Sequence, residues 1–448
     1  MKINPFSSPL LADLYQFTML QSYLEQGMQE TAVFELFIRK LPPGRNFMVA
    51  AGLEQVLDFL ENLQFSAEEL SWLATRFRPP LIDYLERFHF IGDVHAMPEG
   101  TLFFPNEPIL RITAPLPQAQ LIESRIINIL HFETLIASKA ARSVLVAPGK
   151  LLVDFGMRRA HGAEAALLAA RASYLAGFSG SATVLAGALY GIPLYGTMAH
   201  AYIQAHADES MAFEHFARSN PNNVVLLIDT YDTEAAAGKV VELAKRLQTE
   251  HIHIKGVRLD SGDLAPHAHN VRRILDQGGL QSTAIFASGN LDEYRLQTLL
   301  GSGAPIDGFG IGTALDVSID APALDCAYKL QEYAGKPRRK RSEGKATWPG
   351  RKQVYRYYAP QGEMSHDMVA LEDSDPCEGE PLLVPMMLAG QRIHRTRPLQ
   401  EIRQQTLARY VRLPESLTEL ETTTHYPVTI SPALQALAKQ LDDEAMTH

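Results

Sequence analysis

Cysteine is nearly missing from this chain. Only Cys326 and Cys377 occur in 448 residues, and no Cys-x-x-Cys pair is present, which excludes a disulfide framework and a zinc-thiolate site. Long apolar runs are absent as well. No window approaches the roughly eighteen uninterrupted apolar residues of a membrane span. The N-terminus, MKINPFSSPLLADLYQF, lacks a basic region followed by an apolar run and a small-residue cleavage site. These absences predict a protein of the reducing cytoplasm, neither exported nor membrane-inserted. Positive charge is in short supply: 41 Lys and Arg against 51 Asp and Glu give a net charge of −10. A surface built for nucleic acid is therefore not expected, and an anionic substrate must be met by a local cluster of Arg, Lys and helix N-termini.

What remains is ordinary globular material. Hydrophobic residues make up 46% of the chain and charged residues 21%, enough for a large core, and the length predicts two or three domains or one barrel with additions. From about residue 150 to 330 one pattern recurs: a short β-branched run, a turn bearing Gly or Asp, then a helical stretch. Six runs follow it, LLVDFGMRR (151–159), IPLYGTMAH (192–200), VVLLIDTYD (224–232), IKGVRLDSGD (254–263), STAIFASGN (282–290) and IDGFGIGTAL (306–315). Alternation of this kind predicts parallel strands with crossover helices, closed or partly closed into a barrel. In each run the polar residues gather at the C-terminal end. That is the edge where parallel α/β folds place their sites.

The flanking segments differ. Residues 1–145 predict α+β structure: a helix capped by Ser8 with Pro9 in its first turn and Gly27 at its end, a strand over 31–38, a capping-box helix at Ser66 and Glu69, β structure over 94–112 and a helix over 117–142. Residues 331–448 begin with the basic stretch 335–356, which holds nine Lys or Arg and one acid, and end in a polar helix near 432–445. The basic stretch is expected to be a loop near the mouth of the site that attracts polyanions. The two ends are expected to come together beside the barrel domain of residues 146–330.

Nine blocks carry a resemblance to a known family: ADLYQFTM, FETLIASKAAR, VDFGMRRAHG, GTMAHAYI, LIDTYDT, GVRLDSGDL, FASGNLDE, GFGIGT and PGRKQVYR, in order from residue 12 to 356. Together they resemble the signature blocks of nicotinate phosphoribosyltransferases. The resemblance implies an α/β class fold, the incomplete or closed parallel α/β barrel of type II phosphoribosyltransferases, with an α+β domain formed by the N-terminal and C-terminal segments. It also implies nicotinate and phosphoribosyl pyrophosphate (PRPP) as substrates, ATP as co-substrate, Mg²⁺, and a homodimer whose active site is shared across the subunit interface.

Residue roles follow from the same blocks. His200 matches the histidine that the family phosphorylates from ATP, and a neutral imidazole, with an ordinary pKa of about 6.5, is a competent phosphate acceptor. His206 and His215 gain no such support, and His161 beside the double arginine is a second candidate. Phe155 is implied to stack on the pyridine, while Arg158 and Arg159 offer guanidinium forks to the substrate anion. Tyr15 resembles the aromatic residue donated by the second subunit, although its helical spacing fits core packing too. In VRLDSGD, Arg258 is placed near pyridine and phosphates and Asp260 against the ribose, where a carboxylate and Mg²⁺ stabilise separating charge. Asp229 and Asp260 are the metal candidates, reaching it through water, with Asp232 as either a further acid or a helix cap. Gly262, Gly289, Asn290, Gly310, Gly312 and Thr313 are implied to bind phosphate through backbone N–H groups at turns and helix N-termini.

One block departs from the family. Ser181, Ala182 and Thr183 stand where a Thr-Ser-Asn triplet is commoner, with Ser181 and Thr183 still candidates for substrate contact. Related nicotinamide enzymes carry an aspartate at about the position of Ala182. Its absence here favours the ionised acid as substrate over the amide. Competing possibilities are a nicotinamide or quinolinate phosphoribosyltransferase, a catalytically silent PRPP-binding relative, and a nucleic-acid binder using residues 336–341, which conflicts with the net charge.

Overall fold

The computed structural model describes residues 8–373, 378–421 and 425–446, so Cys377 lies outside the described residues. The chain forms two compact units, one of residues 139–320 and one of residues 1–138 together with 321–448.

The first unit is built on a six-stranded, wholly parallel sheet. Its order is Gly180–Ser181, Leu151–Asp154, Gly308–Ile311, Ala284–Ala287, Ile254–Leu259 and Val224–Leu227. The last strand in sequence thus pairs with the first, and from there neighbours follow chain order, which is the order of a barrel. Closure is incomplete because one edge ends at an isolated parallel bridge between Ser181 and Leu194 and the other at Val224–Leu227. Fully buried runs such as Val153, Leu226, Leu227, Val257, Leu259 and Ile285 leave the sheet apolar on both faces, as a parallel sheet covered by helices requires. The crossover helices start on side-chain caps in the expected manner. Asp232 accepts from the Ala235 N–H at 2.7 Å and Asp292 from the Arg295 N–H at 2.8 Å, so Asp232 serves its own helix.

The expected strand at 192–200 is not one. Only Leu194 makes a sheet bridge, and the short strand Gly180–Ser181 takes the place beside Leu151–Asp154. Residues 192–200 contain Pro193 and Gly196, which supply little β propensity, and His200 opens the helix His200–Gln204.

The second unit joins the two ends of the chain in one antiparallel sheet. Thr31–Ile38 pairs on one side with Leu110–Pro115 and on the other with Cys326–Tyr333. Phe34 and Tyr328 stack across that last pairing with ring centroids 4.9 Å apart. The helix predicted from Ser8 begins instead at Leu14 and ends at Glu25 with Gly27 left-handed at φ +66°. Ser8 is occupied elsewhere, its hydroxyl bonding Glu69 at 2.5 Å. Glu69 is itself the third helical residue of the capping box on Ser66, so one carboxylate closes both motifs.

The basic stretch 335–356 is part loop and part strand: residues 338–351 form no strand or helix, and Arg338, Lys340, Arg341 and Lys345 are exposed, while its end is buried. Lys352–Tyr358 is a strand, with Lys352 bound to buried Glu35 at 2.8 Å and Arg356 forked onto buried Asp367 at 3.0 and 2.6 Å. Arg339 and Arg341 both pair with Asp442. Charge buried as at Lys352 and Arg356 must be neutralised by a partner, which removes these two cations from the pool available to a polyanion.

Candidate active site

The strand ends of the parallel sheet bring several of the expected residues to one place. Asp260 follows Ile254–Leu259 and Asp229 follows Val224–Leu227, and the two turns are stitched together through Asp229. Its Oδ2 accepts from the Asp260 backbone N–H at 3.1 Å and from the Ser261 hydroxyl at 2.6 Å. The Ser288 hydroxyl donates to Asp260 Oδ1, bringing in the end of the neighbouring strand. His200 stands opposite. Its Nε2 is 3.8 Å from Asp260 Oδ2, and its Nδ1 is 3.1 Å from the Thr230 hydroxyl. Arg258 donates from Nη2 to the Met198 carbonyl at 2.9 Å, holding the segment that leads to His200.

Burial lowers the Arg258 guanidinium, Asp260 and Asp229 pull it back up, and Arg158 adds a further lowering. Arg158 is therefore close enough to be felt at Arg258. Arg158 and Arg159 are both exposed on the turn after Leu151–Asp154, where Phe155 is half-buried. The Phe155 ring lies 5.6 Å from that of Phe286, so two aromatics rather than one line this part of the sheet end.

The glycine blocks have a packing reason that is separate from phosphate. A Cβ on Gly310 would meet the Phe155 ring at 2.6 Å, and one on Gly312 would meet the Phe155 carbonyl oxygen at 3.0 Å. Gly289, at φ +94°, could not carry a Cβ either, because the Asp260 carbonyl oxygen would be 1.9 Å away. Asn290 follows it in the left-handed region at φ +50°. Gly262 turns the Asp260 loop at φ +77°. Thr313 begins the one-turn helix Thr313–Asp316.

Ser181 is not open to a ligand. Its buried hydroxyl donates to Asp154 Oδ2 at 2.7 Å and accepts from the Thr183 N–H at 2.9 Å, which makes it part of the wall. Thr183 keeps a buried hydroxyl without a partner among the described residues, and Ala182 between them is exposed. His161 is exposed, while His206 bonds the Tyr202 carbonyl at 2.7 Å and stacks its ring edge toward His215. Tyr15 belongs to the other unit and is exposed on the helix Leu14–Glu25.

Sequence reasoning missed Thr230, Ser288, Phe286 and the carboxyl pair Asp154 and Asp316. The first three lie inside runs that were already singled out, one residue from a named position or on the strand preceding it. The signal for Asp316 was absent, since nothing in local sequence marks an aspartate whose partner lies 162 residues earlier.

Among the described residues no cluster of three or more His, Cys, Asp or Glu has metal-binding spacing. The pair Asp229 and Asp260 still fits a hard cation that keeps several waters and takes its other ligands from substrate phosphates. The observation in favour is Asp229 Oδ1, which is buried and has no partner among the described residues.

A curled, incomplete parallel α/β barrel with this strand-end chemistry defines the type II phosphoribosyltransferase class. Three profiles match the chain: the nicotinate phosphoribosyltransferase N-terminal domain over residues 10–131, the nicotinate phosphoribosyltransferase family over 151–342, and its C-terminal domain over 374–438. The chain belongs to the nicotinate phosphoribosyltransferase family. It is 47% identical over 435 residues to a nicotinate phosphoribosyltransferase of Mycobacterium tuberculosis, covering 96% of this chain and 93% of that one. A Bacillus subtilis nicotinate phosphoribosyltransferase is 41% identical over 378 residues, covering 82% and 77%. Among solved structures, human nicotinic acid phosphoribosyltransferase aligns with a TM-score of 0.85 at 28% identity, covering 96% of this chain and 99% of that one. No described helix is long and apolar enough to cross a membrane.

Proposed function

We propose that this chain forms nicotinate mononucleotide and pyrophosphate from nicotinate and PRPP, a step of NAD salvage, coupled to ATP hydrolysis through a phosphohistidine at His200. The observation that carries it is the placement of His200 between Thr230 and Asp260. In the tautomer whose Nδ1–H donates to the Thr230 hydroxyl, the lone pair is on Nε2, on the side that faces Asp260. Nε2 attacks the γ-phosphorus of ATP, the bond from phosphorus to the bridging oxygen breaks, and ADP leaves with the electron pair.

In the transfer itself the C1–oxygen bond of PRPP breaks as the pyridine nitrogen approaches C1. Asp260 faces the cationic character that develops on the ribose, held in place by Ser288. Phe155 supplies a flat apolar face, and Arg158 and Arg159 supply guanidinium groups for the carboxylate and phosphates. Asp229 and Asp260 are the residues that would hold Mg²⁺, whose chemistry here is neutralisation of the departing pyrophosphate. The exposed Ala182 leaves the pyridine substituent without a repelling carboxylate, which favours nicotinate over nicotinamide. A homodimer is supported by exposed apolar side chains on both units, and an intracellular location by the scarcity of cysteine.

The test is incubation with labelled nicotinate and PRPP, with and without ATP, alongside nicotinamide and quinolinate. Nicotinate mononucleotide from nicotinate alone, stimulated by ATP, is the expected product. With γ-labelled ATP, an alkali-stable, acid-labile label should map to residues 192–206 and disappear in His200→Asn. Label retained in His200→Asn overturns the assignment and points to His161.

A further inference from the structure

The unit formed by the chain ends contains a cavity of about 310 Å³ whose lining residues all come from that unit, none from residues 139–320. Its walls are apolar at Pro98, Leu382 and Val384 and cationic at Arg409 and Arg412. Arg356 also reaches the lining, but its guanidinium is spent on Asp367 and on the Leu102 carbonyl. The other two arginines are not spent. Among the described residues Arg409 donates only to the Glu99 carbonyl, at a long 3.4 Å, and Arg412 donates through Nε to the Gly362 carbonyl at 2.9 Å while its guanidinium lies 3.7 Å over the Tyr358 ring. Among the described residues neither forms a salt bridge with a carboxylate.

The one acid in the lining is already engaged, because Glu380 accepts from the Tyr358 hydroxyl. The backbone is shaped to bring Arg409 in. Gly100, at φ +78°, lies so close to the helix Leu399–Tyr410 that a Cβ would be 2.0 Å from the Thr406 hydroxyl and 3.2 Å from Arg409 Nη1. Burial lowers the Arg409 guanidinium, Arg356 lowers it further, and Glu380 opposes both. A half-buried cation beside a second arginine, which among the described residues has no carboxylate in salt-bridge contact and feels Glu380 only from a distance, is an arrangement that a bound oxyanion would complete.

We propose that this cavity binds a small organic oxyanion, a carboxylate or phosphate monoester with an apolar body, held by Arg409 and Arg412. The volume lies at the lower end of small-molecule pockets, so an inorganic anion would leave the apolar wall unfilled. The planar forks of two arginines match either oxyanion, and the Glu380 carboxylate beside them gives the site a place for a ligand hydroxyl.

Titration of the full chain with phenyl phosphate and with cyclohexanecarboxylate, followed by calorimetry, tests this. Binding at the catalytic strand ends is common to wild type and to variants of the cavity, so the cavity is read as the component that those variants lose. At least tenfold weaker binding of one or both probes is expected in Arg409→Met and in Arg412→Gln, with a smaller loss in Arg409→Lys, which keeps the charge but not the fork. Loss of phenyl phosphate binding alone identifies a phosphate site, and loss of cyclohexanecarboxylate binding alone a carboxylate site. Arg412 is exposed, so Arg412→Gln decides the matter if Arg409→Met fails to fold. Isotherms unchanged in Arg412→Gln and Arg409→Lys, or no binding component beyond the catalytic one, would overturn the proposal.

Discussion

Asp154 and Asp316 are fully buried, and each carboxyl lies against the other. As two anions they would have no donor between them, and the Asp316 oxygens have no other polar partner. Burial, first, and then the other carboxylate hold Asp316 well above the usual carboxylate range, while burial raises Asp154 and the Gly156 N–H and Ser181 hydroxyl bring it part of the way back. The pair is thereby biased toward holding one proton between its two carboxyls, with Asp316 the member raised further. The sign follows: the folded protein retains a proton that the unfolded chain releases above about pH 4. The pair's contribution is complete below that point and is lost as pH rises through the folded values. Asp316→Asn replaces the acid by a permanent N–H donor, so its stability relative to wild type should increase as the pH rises above about 4 in urea denaturation. A difference that does not change with pH would mean that Asp316 is ionised in the fold. At Ala182, whose side chain is exposed between two buried neighbours, the expectation concerns selectivity. Ala182→Asp should lower kcat/KM for nicotinate relative to nicotinamide by about tenfold or more, since a carboxylate repels the one substrate and accepts from the amide of the other. An unchanged ratio would place residue 182 away from the ring substituent.

At the scale of elements, the turns between strands and helices carry more constraint than the strands. Gly289 and Gly303 make the point as a pair, because both have positive φ, +94° and +72°, yet a Cβ at Gly303 would meet nothing within 4 Å while one at Gly289 would meet the Asp260 carbonyl oxygen at 1.9 Å. Gly303→Ala should cost only the left-handed backbone penalty, about 1 kcal/mol, with kcat unchanged. Gly289→Ala must also push Asp260 aside, so a stability loss of about 2 kcal/mol or more should accompany at least a tenfold fall in kcat/KM. Equal effects of the two substitutions would show that the Asp260 turn yields freely. The same contrast explains how much was legible in the sequence. Five of the six expected runs contain a strand of the parallel sheet, because a buried parallel strand is a short apolar run with polar residues at its end. The sixth, 192–200, copied the pattern without the pairing, and the two-residue strand Gly180–Ser181 was too short to leave any signal. The capping box at Ser66 and the cap at Asp232 were local and therefore readable. Buried ion pairs such as Lys352 with Glu35 were not, since what turns a basic stretch into core is a carboxylate 317 residues away.

For the molecule as a whole, the exposed apolar side chains include two local groups. On one unit Leu11, Leu14 and Tyr15 are 44%, 65% and 44% exposed around the start of one helix, and on the other Val184, Leu185 and Leu189 are 72%, 52% and 58% exposed along another. Side chains of this size are expected to be covered in a working assembly. Under the proposed homodimer, Leu14→Asp and Leu185→Asp should each yield a monomer by sedimentation velocity, and a dimer that persists in both would exclude these faces from the interface. The shared site makes a sharper demand. Tyr15→Ala removes a residue that one subunit is proposed to lend to the other, whereas Asp260→Asn removes one that each subunit keeps for itself, so both homodimers should be nearly inactive at low nicotinate. When the two are unfolded together and refolded in equal amounts, half of the dimers are hybrids. Each hybrid has one site in which the Asp260→Asn subunit lends an intact Tyr15 to the intact Asp260 of the other. Activity should then recover to about a quarter of the wild-type value per total protein. If Tyr15 acted within its own subunit, each hybrid would pair one site lacking Tyr15 with one lacking Asp260, and mixing would restore nothing.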